Sequence, residues 1–271
     1  MIRMIVNDTG VHNMHHAEKP LLYVLDYPGF RTEPRVDDLQ LDRHELRVRN
    51  LLRQPLPRVV DATAYVSRIL AGISAGEGPV AAVAAYCTSA PFAFEVASAT
   101  ARGQQEPPII VLFDAEASTP DMILDSYRTV LAGIGVQPTE EDLRSRANLS
   151  LLSEDPRRFV DALTRNLERE VVTILRTMGS SDEEATESAR HMTNTYADWL
   201  SHLVSAYRSN IPSWSGEILN ITSADGPQKG FTFQSGTVRD VRMTCDRAQL
   251  LRSEETRSVV LSAFEASRSV P

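Results

Sequence analysis

The sequence predicts an α/β fold built on a mostly parallel, doubly wound sheet. Short runs that are apolar nearly throughout recur along the chain, which is typical of strands buried on both faces of a parallel sheet. Helical patterns separate these runs, and such alternation of strand and helix favours a doubly wound arrangement. The strongest strand candidates are Leu21–Leu25, Val80–Tyr86, Ile109–Phe113 and residues 218–221.

The remaining elements follow in chain order. Residues 1–18 are polar and carry three histidines, so they predict a flexible N-terminal arm before the first strand. Residues 58–60 and 238–243 are weaker strand candidates. Helices are predicted over 64–73 and 92–102, on either side of the second strong strand.

Between about residues 119 and 208 the pattern changes to helices alone. One apolar stripe runs at helical spacing from Phe159 to Met178, and another runs from Met192 to Tyr207. We therefore predict a helical lid at 119–208, inserted into a core formed by 19–118 and 209–271. The last helix is expected to begin near Ser253, whose hydroxyl can accept a backbone hydrogen bond as the N-cap.

Composition excludes several classes of protein. The 271 residues are 42% hydrophobic and 24% charged, which argues against a disordered chain, and the net charge of −8 argues against a general nucleic-acid binder. We find no apolar run of membrane-spanning length and no signal peptide, so a soluble cytoplasmic protein is expected. Two cysteines make no disulfide framework, and the absence of phosphate-loop and zinc motifs predicts no cofactor and no metal site.

Cys87 stands where the most apolar strand ends and the next helix begins. Such a corner is typical of a nucleophile elbow, in which a strained turn lifts the central side chain above the sheet. Neighbours two positions away must be small because strand and helix crowd there, and Ala85 and Ser89 meet that demand. The alternative is a buried free cysteine that packs as a small hydrophobe.

Further candidates surround this corner. Asp114 ends the next strand, where a carboxylate can orient a base beside the elbow; alternatively, it begins an ordinary surface loop. The first strand runs into a turn at Gly29 and Phe30, which can supply one backbone N–H to an oxyanion, or can be a simple turn. The second oxyanion N–H would come from Thr88, directly after the nucleophile.

These motifs resemble the thioesterase domains and type II thioesterases of polyketide and nonribosomal peptide synthesis. The resemblance implies an α/β-hydrolase fold with a helical lid, which takes acyl chains from the phosphopantetheine arm of an acyl or peptidyl carrier protein. The cysteine elbow resembles the stand-alone Dieckmann cyclases, which release tetramate or pyridone rings and have a Cys-Asp-His triad. The motifs that carry the resemblance are 85–89, 92–97, 111–114, Tyr196, Tyr207 and 216–221.

One position departs from that family. Arg247 stands where the resemblance implies the triad histidine, and no histidine follows His202 in the chain. His191 and His202 fall in a predicted lid helix, where we expect both to be exposed. Arg247 would then serve at the site by lowering the pKa of the Cys87 thiol, together with the helix dipole; alternatively, it pairs with Asp114 and silences the site.

Three functions remain open on these residues. Cyclising release needs less help from a base than hydrolysis does, because a carbon flanked by two carbonyls is already acidic, and arginine cannot act as a base. The alternatives are a hydrolytic type II thioesterase and an inactive protein that binds a carrier. An acidic carrier would need a local basic face, and residues 30–59 offer seven arginines, although arginines in ion pairs on a solvated surface are the simpler explanation. These are Arg31, Arg35, Arg43, Arg47, Arg49, Arg53 and Arg58.

Overall fold

A computed structural model describes residues 19–29, 34–44, 46–73, 78–227 and 231–268. The predicted N-terminal arm and Phe30 lie outside these ranges. Within them, one sheet contains six strands in the order β2-β1-β3-β4-β5-β6, and every neighbouring pair is parallel. The strands are β1 (Leu21–Leu25), β2 (Arg47–Asn50), β3 (Val80–Tyr86), β4 (Ile109–Phe113), β5 (Trp214–Thr222) and β6 (Ser235–Arg242).

The central strands are buried on both faces, as their continuous apolar runs predict. Successive side chains point to opposite faces of a strand, so each run feeds two separate hydrophobic cores. In β1, for example, Leu21, Tyr23 and Leu25 enter one core, whereas Leu22 and Val24 enter the other. β3, the strand that ends directly before Cys87, is buried on both faces in the same way.

Helices cover the sheet and follow the predicted alternation. The first helix is capped by the Asp61 side chain, which accepts a hydrogen bond from the backbone N–H of Ala64 at 2.8 Å. The predicted last helix begins at Glu254, and the Ser253 hydroxyl accepts from the backbone N–H of Thr256 at 3.3 Å. The helices are α1 (Ala62–Leu70), α2 (Ala90–Ala101), α3 (Pro120–Gly133), α4 (Glu140–Arg146), α5 (Leu151–Glu154), α6 (Pro156–Thr177), α7 (Asp182–Tyr207), α8 (Arg247–Leu250) and α9 (Glu254–Arg268).

Helices α3 to α7 lie between β4 and β5 in the chain and share a third hydrophobic core. Phe159, Leu163 and Leu167 of the predicted stripe on α6 are buried there. Met178 was expected at the end of that stripe, but it follows the helix and is 78% exposed. The last buried residue of α6 is Val171, so the buried stripe stops before the helix ends. Whether this layer acts as a lid stays a prediction.

Two strand assignments differ from the sequence expectation. Residues 58–60 form no strand; instead, the Val59 carbonyl accepts a hydrogen bond from the Ser205 hydroxyl on α7 at 2.6 Å. Conversely, β2 was not predicted, because its sequence Arg-Val-Arg-Asn lacks an apolar run. It is an edge strand, and edge strands commonly carry charged side chains.

Candidate active site

Cys87 occupies a strained turn at the carboxyl end of β3. Its φ angle is +54°, a left-handed conformation that is uncommon for a residue other than glycine. Residues Cys87–Ser89 form a single 3₁₀ turn that leads directly into α2. Ala85 and Ser89 are both buried, so the space beside the turn admits only small side chains, as the elbow pattern requires.

Arg247 reaches the cysteine from the far edge of the sheet. Its Nη2 lies 3.1 Å from the Cys87 Sγ, and its Nε donates to the Tyr86 hydroxyl at 2.9 Å. The side chain stands at the first residue of α8, where the Asp246 side chain caps the helix and the Asp225 carboxylate accepts from the Arg247 backbone N–H at 2.7 Å. The position that the resemblance assigns to histidine thus holds a guanidinium in contact with the thiol.

Glu116 completes this cluster, and sequence reasoning missed it. Its Oε1 accepts from Arg247 Nη1 at 2.5 Å, and its Oε2 lies 3.6 Å from the Cys87 Sγ. Its backbone N–H also donates to the Cys87 carbonyl at 3.3 Å. The signal that could have found it is its place in the same strand-end loop as Asp114, two residues further on.

Burial and a neighbouring carboxylate raise the pKa of the Cys87 thiol by more than Arg247 lowers it. Burial, followed by the neighbouring Glu116 carboxylate, raises the pKa of Cys87 to about 11; Arg247 and the Thr88 backbone N–H lower it without cancelling that rise. Burial acts to lower the pKa of Arg247, but Cys87, Tyr86 and Glu116 together raise that pKa above its usual range. At neutral pH Cys87 is therefore a thiol, and it lies beside the charged guanidinium of Arg247.

Asp114 is fully buried at the end of β4, with a φ angle of +41°. Its two carboxylate oxygens accept from the backbone N–H and the hydroxyl of Ser223, both at 2.8 Å. A Cβ atom at Gly226 would lie 2.7 Å from Asp114 Oδ1, so only glycine admits this close approach. Among the described residues Arg247 pairs with Glu116 rather than with Asp114, and a catalytic role for Asp114 stays a prediction.

The structure describes two of the three predicted oxyanion-hole residues, Thr88 and Gly29. Thr88 is buried, and its backbone N–H faces the sulfur of Cys87. Gly29 lies against the ring of Tyr27, where any side chain would collide with that ring. The Arg35 guanidinium fixes this loop by donating to the carbonyls of Tyr27, Pro28 and Gly29 at 2.7–3.1 Å. With Phe30 outside the described residues, the oxyanion role of the loop stays a prediction.

The expectation that His202 is exposed was wrong. The ring is fully buried; its Nδ1 lies 3.1 Å from the Tyr65 hydroxyl and its Nε2 lies 3.3 Å from the Ser89 hydroxyl. It also stacks on Trp199, with ring centroids 5.3 Å apart. This burial lowers the pKa of His202 to about 3, so the imidazole is neutral at physiological pH. His191 is exposed, as expected.

Several arginines of the proposed docking stretch have partners within the chain. Arg58 pairs with Asp198 of α7 at 2.6 Å, and Arg49 donates to the Gly72 carbonyl at 3.1 Å. The Arg35 guanidinium binds carbonyl groups of the loop after β1. Arg31 lies outside the described residues. The simpler explanation, arginines held by intramolecular contacts, therefore accounts for these three positions.

No known family model matches the sequence, and no curated protein is significantly similar to it. Among solved structures, RedJ, the thioesterase of prodiginine biosynthesis in Streptomyces coelicolor, matches at a TM-score of 0.50 and 12% identity, covering 92% of each chain. An epoxide hydrolase of the α/β-hydrolase superfamily, from metagenomes of hot environments, matches at a TM-score of 0.48 and 13% identity, over 92% of this chain and 91% of that chain.

A four-domain nonribosomal peptide synthetase bound to AMP and glycine matches at a TM-score of 0.48 and 16% identity. The match covers 93% of this chain, which spans 20% of that synthetase. With its six parallel strands, flanking helices and strand-to-helix elbow, the protein has the α/β-hydrolase fold. No helix within the described residues is both long enough and apolar enough to cross a bilayer.

Proposed function

We propose that the protein takes an acyl chain from the phosphopantetheine thioester of a carrier protein onto Cys87 and releases it as a ring by Dieckmann-type C–C bond formation. The observation that carries this proposal is the placement of the Cys87 sulfur at a strained strand-to-helix turn, within reach of both Arg247 and Glu116. The likeness of the fold to that of the RedJ thioesterase supports the class of reaction.

The first half-reaction is thioester exchange. The Cys87 sulfur attacks the carbonyl carbon of the carrier thioester, a new C–S bond forms, and the carrier thiol leaves with the proton that Cys87 gives up. Charge that develops on the carbonyl oxygen would meet the Thr88 backbone N–H, with the Gly29–Phe30 loop as the proposed second donor.

The second half-reaction distinguishes cyclisation from hydrolysis. A carbon between two carbonyls loses a proton far more readily than water does, so a weak base suffices for ring closure. That carbanion attacks the acyl carbonyl, a C–C bond forms, and the C–S bond to Cys87 breaks. Within the described residues Cys87 faces a carboxylate and a guanidinium, rather than an imidazole, and a carboxylate is the weaker base.

A second candidate is an inactive protein that binds a carrier. The observation that favours it is the ion pair between Arg247 and Glu116, which lies directly against a thiol whose pKa is raised to about 11. An unreactive cysteine held against this ion pair would keep the fold while losing the chemistry. Hydrolytic release by the same site is the third possibility, and one experiment separates all three.

The test is a single-turnover reaction with a β-ketoacyl-aminoacyl chain on a carrier protein, followed by intact-mass and product analysis. We expect an acyl adduct that Cys87→Ala abolishes and that Cys245→Ala, the matched control at the other free cysteine, retains. A cyclic product supports the proposal, and free linear acid as the main product would favour hydrolysis. Binding of the carrier with neither adduct nor release would favour the inactive protein.

A further inference from the structure

We propose that Glu116 is the general base at Cys87, a role that the resemblance gives to the histidine this chain lacks. The inference rests on the proposed function, since it names the proton acceptor of that same site. It arises from a residue that no sequence motif singled out and that the structure places against the reacting sulfur. Glu116 thereby becomes a catalytic residue, and Arg247 becomes its positioning residue.

The two carboxylate oxygens of Glu116 have different partners. Oε1 is bound by Arg247 Nη1 at 2.5 Å, which leaves Oε2 turned toward the Cys87 Sγ at 3.6 Å, a distance at which a thiol can donate to oxygen. The Arg247 guanidinium is itself held by the Tyr86 hydroxyl at 2.9 Å. The carboxylate is therefore oriented by one cation, with a free oxygen left for the proton.

The backbone also brings Glu116 to this position. The chain turns sharply at Asp114, whose φ angle is +41° and whose side chain is held by Ser223. Two residues later, the backbone N–H of Glu116 binds the carbonyl of Cys87. Nucleophile and base are thus joined through main-chain and side-chain contacts at adjacent parallel strand ends, so the side chain needs no large movement to act.

The exposure of the cluster suits a proton that must be taken up and returned. The side chains of Glu116 and Arg247 are 17% and 27% exposed, so they are neither sealed in the core nor fully solvated. An acyl chain arriving above Cys87 would exclude further water and strengthen the electrostatic contacts within the cluster. The charged groups that face the sulfur within the described residues are Glu116 and Arg247.

The proton transfers balance in both half-reactions. In acylation, Glu116 takes the thiol proton as sulfur attacks the thioester, and the resulting carboxylic acid returns that proton to the departing carrier thiolate. In ring closure, Glu116 takes a proton from the carbon between two carbonyls, that carbon attacks the acyl group, and the carboxylic acid protonates the departing Cys87 thiolate. Arg247 remains a cation throughout.

A purely electrostatic role for Glu116 predicts the opposite change in the rate of thioester exchange when Glu116 is replaced by Gln. The carboxylate is one of the groups that raise the pKa of Cys87, so removing its charge would leave Arg247 unopposed and increase the thiolate fraction. If Glu116 acted only through this charge, Glu116→Gln would make Cys87 faster in every reaction. If Glu116 is the base, the same variant makes thioester exchange slower.

Two probes separate these roles. Phenyl thioacetate reports acyl transfer to Cys87 by intact mass, and iodoacetamide reports the thiolate fraction by alkylation. Both are applied to the full chain carrying Cys245→Ala, with and without Glu116→Gln. Glu187→Gln, which makes the same charge change at an exposed position on α7, is the matched control. We expect Glu116→Gln to slow acylation by about 10²-fold or more while it accelerates alkylation, and Glu187→Gln to change neither rate.

Each outcome decides the proposal. Acylation that accelerates together with alkylation, or a wild-type chain that phenyl thioacetate never acylates, would overturn the base role. A cooperative chemical-denaturation transition like that of the parent chain shows that Glu116→Gln has kept its fold, and Glu116→Asp should give intermediate acylation because a carboxylate remains. The proposed function fails separately if the carrier-bound chain is not transferred although phenyl thioacetate acylates Cys87 in a Glu116-dependent way.

Discussion

The two ends of the short turn Cys87–Ser89 face opposite environments. At the first residue, the thiol meets a carboxylate and a guanidinium that retain partial contact with solvent. At the last residue, the Ser89 hydroxyl meets His202, enclosed by aromatic rings and the Tyr65 hydroxyl. One turn therefore separates a cluster of charged side chains from a buried cluster of rings and hydroxyls.

The two environments determine where acid–base chemistry can occur in the protein. Deep burial keeps the imidazole of His202 neutral, and both of its ring nitrogens lie within hydrogen-bonding distance of hydroxyl groups. The residue type best suited to proton transfer at neutral pH is thus used in packing. A carboxylate, usually a surface group, stands instead at the thiol.

Acidification should cause the greatest loss of stability, because it protonates His202, the buried imidazole at the Ser89 end of the turn. Because the pKa of His202 is about 3 in the folded protein and about 6.5 in an unfolded chain, the unfolded state binds the extra proton between those pH values. The His202 contribution is fully present above pH 6.5 and is lost at about 1.4 kcal/mol per pH unit on acidification toward pH 3. Chemical denaturation across this pH range measures the loss.

His202→Phe is the control for that prediction. It keeps an aromatic ring of similar volume but cannot titrate, so its free energy of unfolding should fall less steeply with acid than that of the wild type. The variant should be less stable at neutral pH, since Tyr65 and Ser89 lose their partner. Parallel pH dependences in the two proteins would contradict the assignment of a neutral, buried imidazole.

A smaller loss of stability is expected at Asp114, the buried acid whose two carboxylate oxygens are bound by Ser223. Ser223→Ala removes the hydroxyl that donates to its buried carboxylate, and we expect a loss of about 2 kcal/mol in the free energy of unfolding. The backbone N–H of Ser223 remains as a donor. The alkylation rate of Cys87 should be unchanged, and a change in that rate would show that Asp114 acts on the thiol after all.

Replacing Arg247 should give the smallest effect, and it tests the charged cluster at the Cys87 end of the turn. Arg247 lowers the pKa of Cys87, so Arg247→Gln should raise that pKa further and slow alkylation near pH 8 by about tenfold for each unit of the rise. Iodoacetamide kinetics in the Cys245→Ala background measure this rate. His202→Phe is the companion variant; it should leave alkylation unaltered if the two ends of the turn are independent. Faster alkylation in Arg247→Gln would refute the assigned electrostatics.

The fold was predictable because burial on both faces leaves a local signature. The strands that flank Cys87 are continuous apolar runs, and the elbow itself requires small neighbours at Ala85 and Ser89. β2 lacked that signature because an edge strand rich in arginine is stabilised by backbone pairing to β1 rather than by its own apolar run.

The site was predictable only as far as sequence neighbours allow. The position of Cys87 at a strand end follows from local pattern, whereas the contact between Glu116 and Arg247 joins residues 131 positions apart. The burial of His202 was missed for a related reason: its aromatic surroundings combine α7 with Tyr65, Phe92 and Tyr27, which are distant in the chain.

The head of α8 has a consequence for how such a site can change. Its backbone is anchored independently of the side chain at position 247, through the Asp246 cap and the Asp225 carboxylate. The side chain at position 247 can therefore change without loss of these backbone contacts. Its identity determines which functional group lies against Cys87, while the surrounding backbone stays the same. A single codon there can exchange a permanent cation for another functional group without rebuilding the fold.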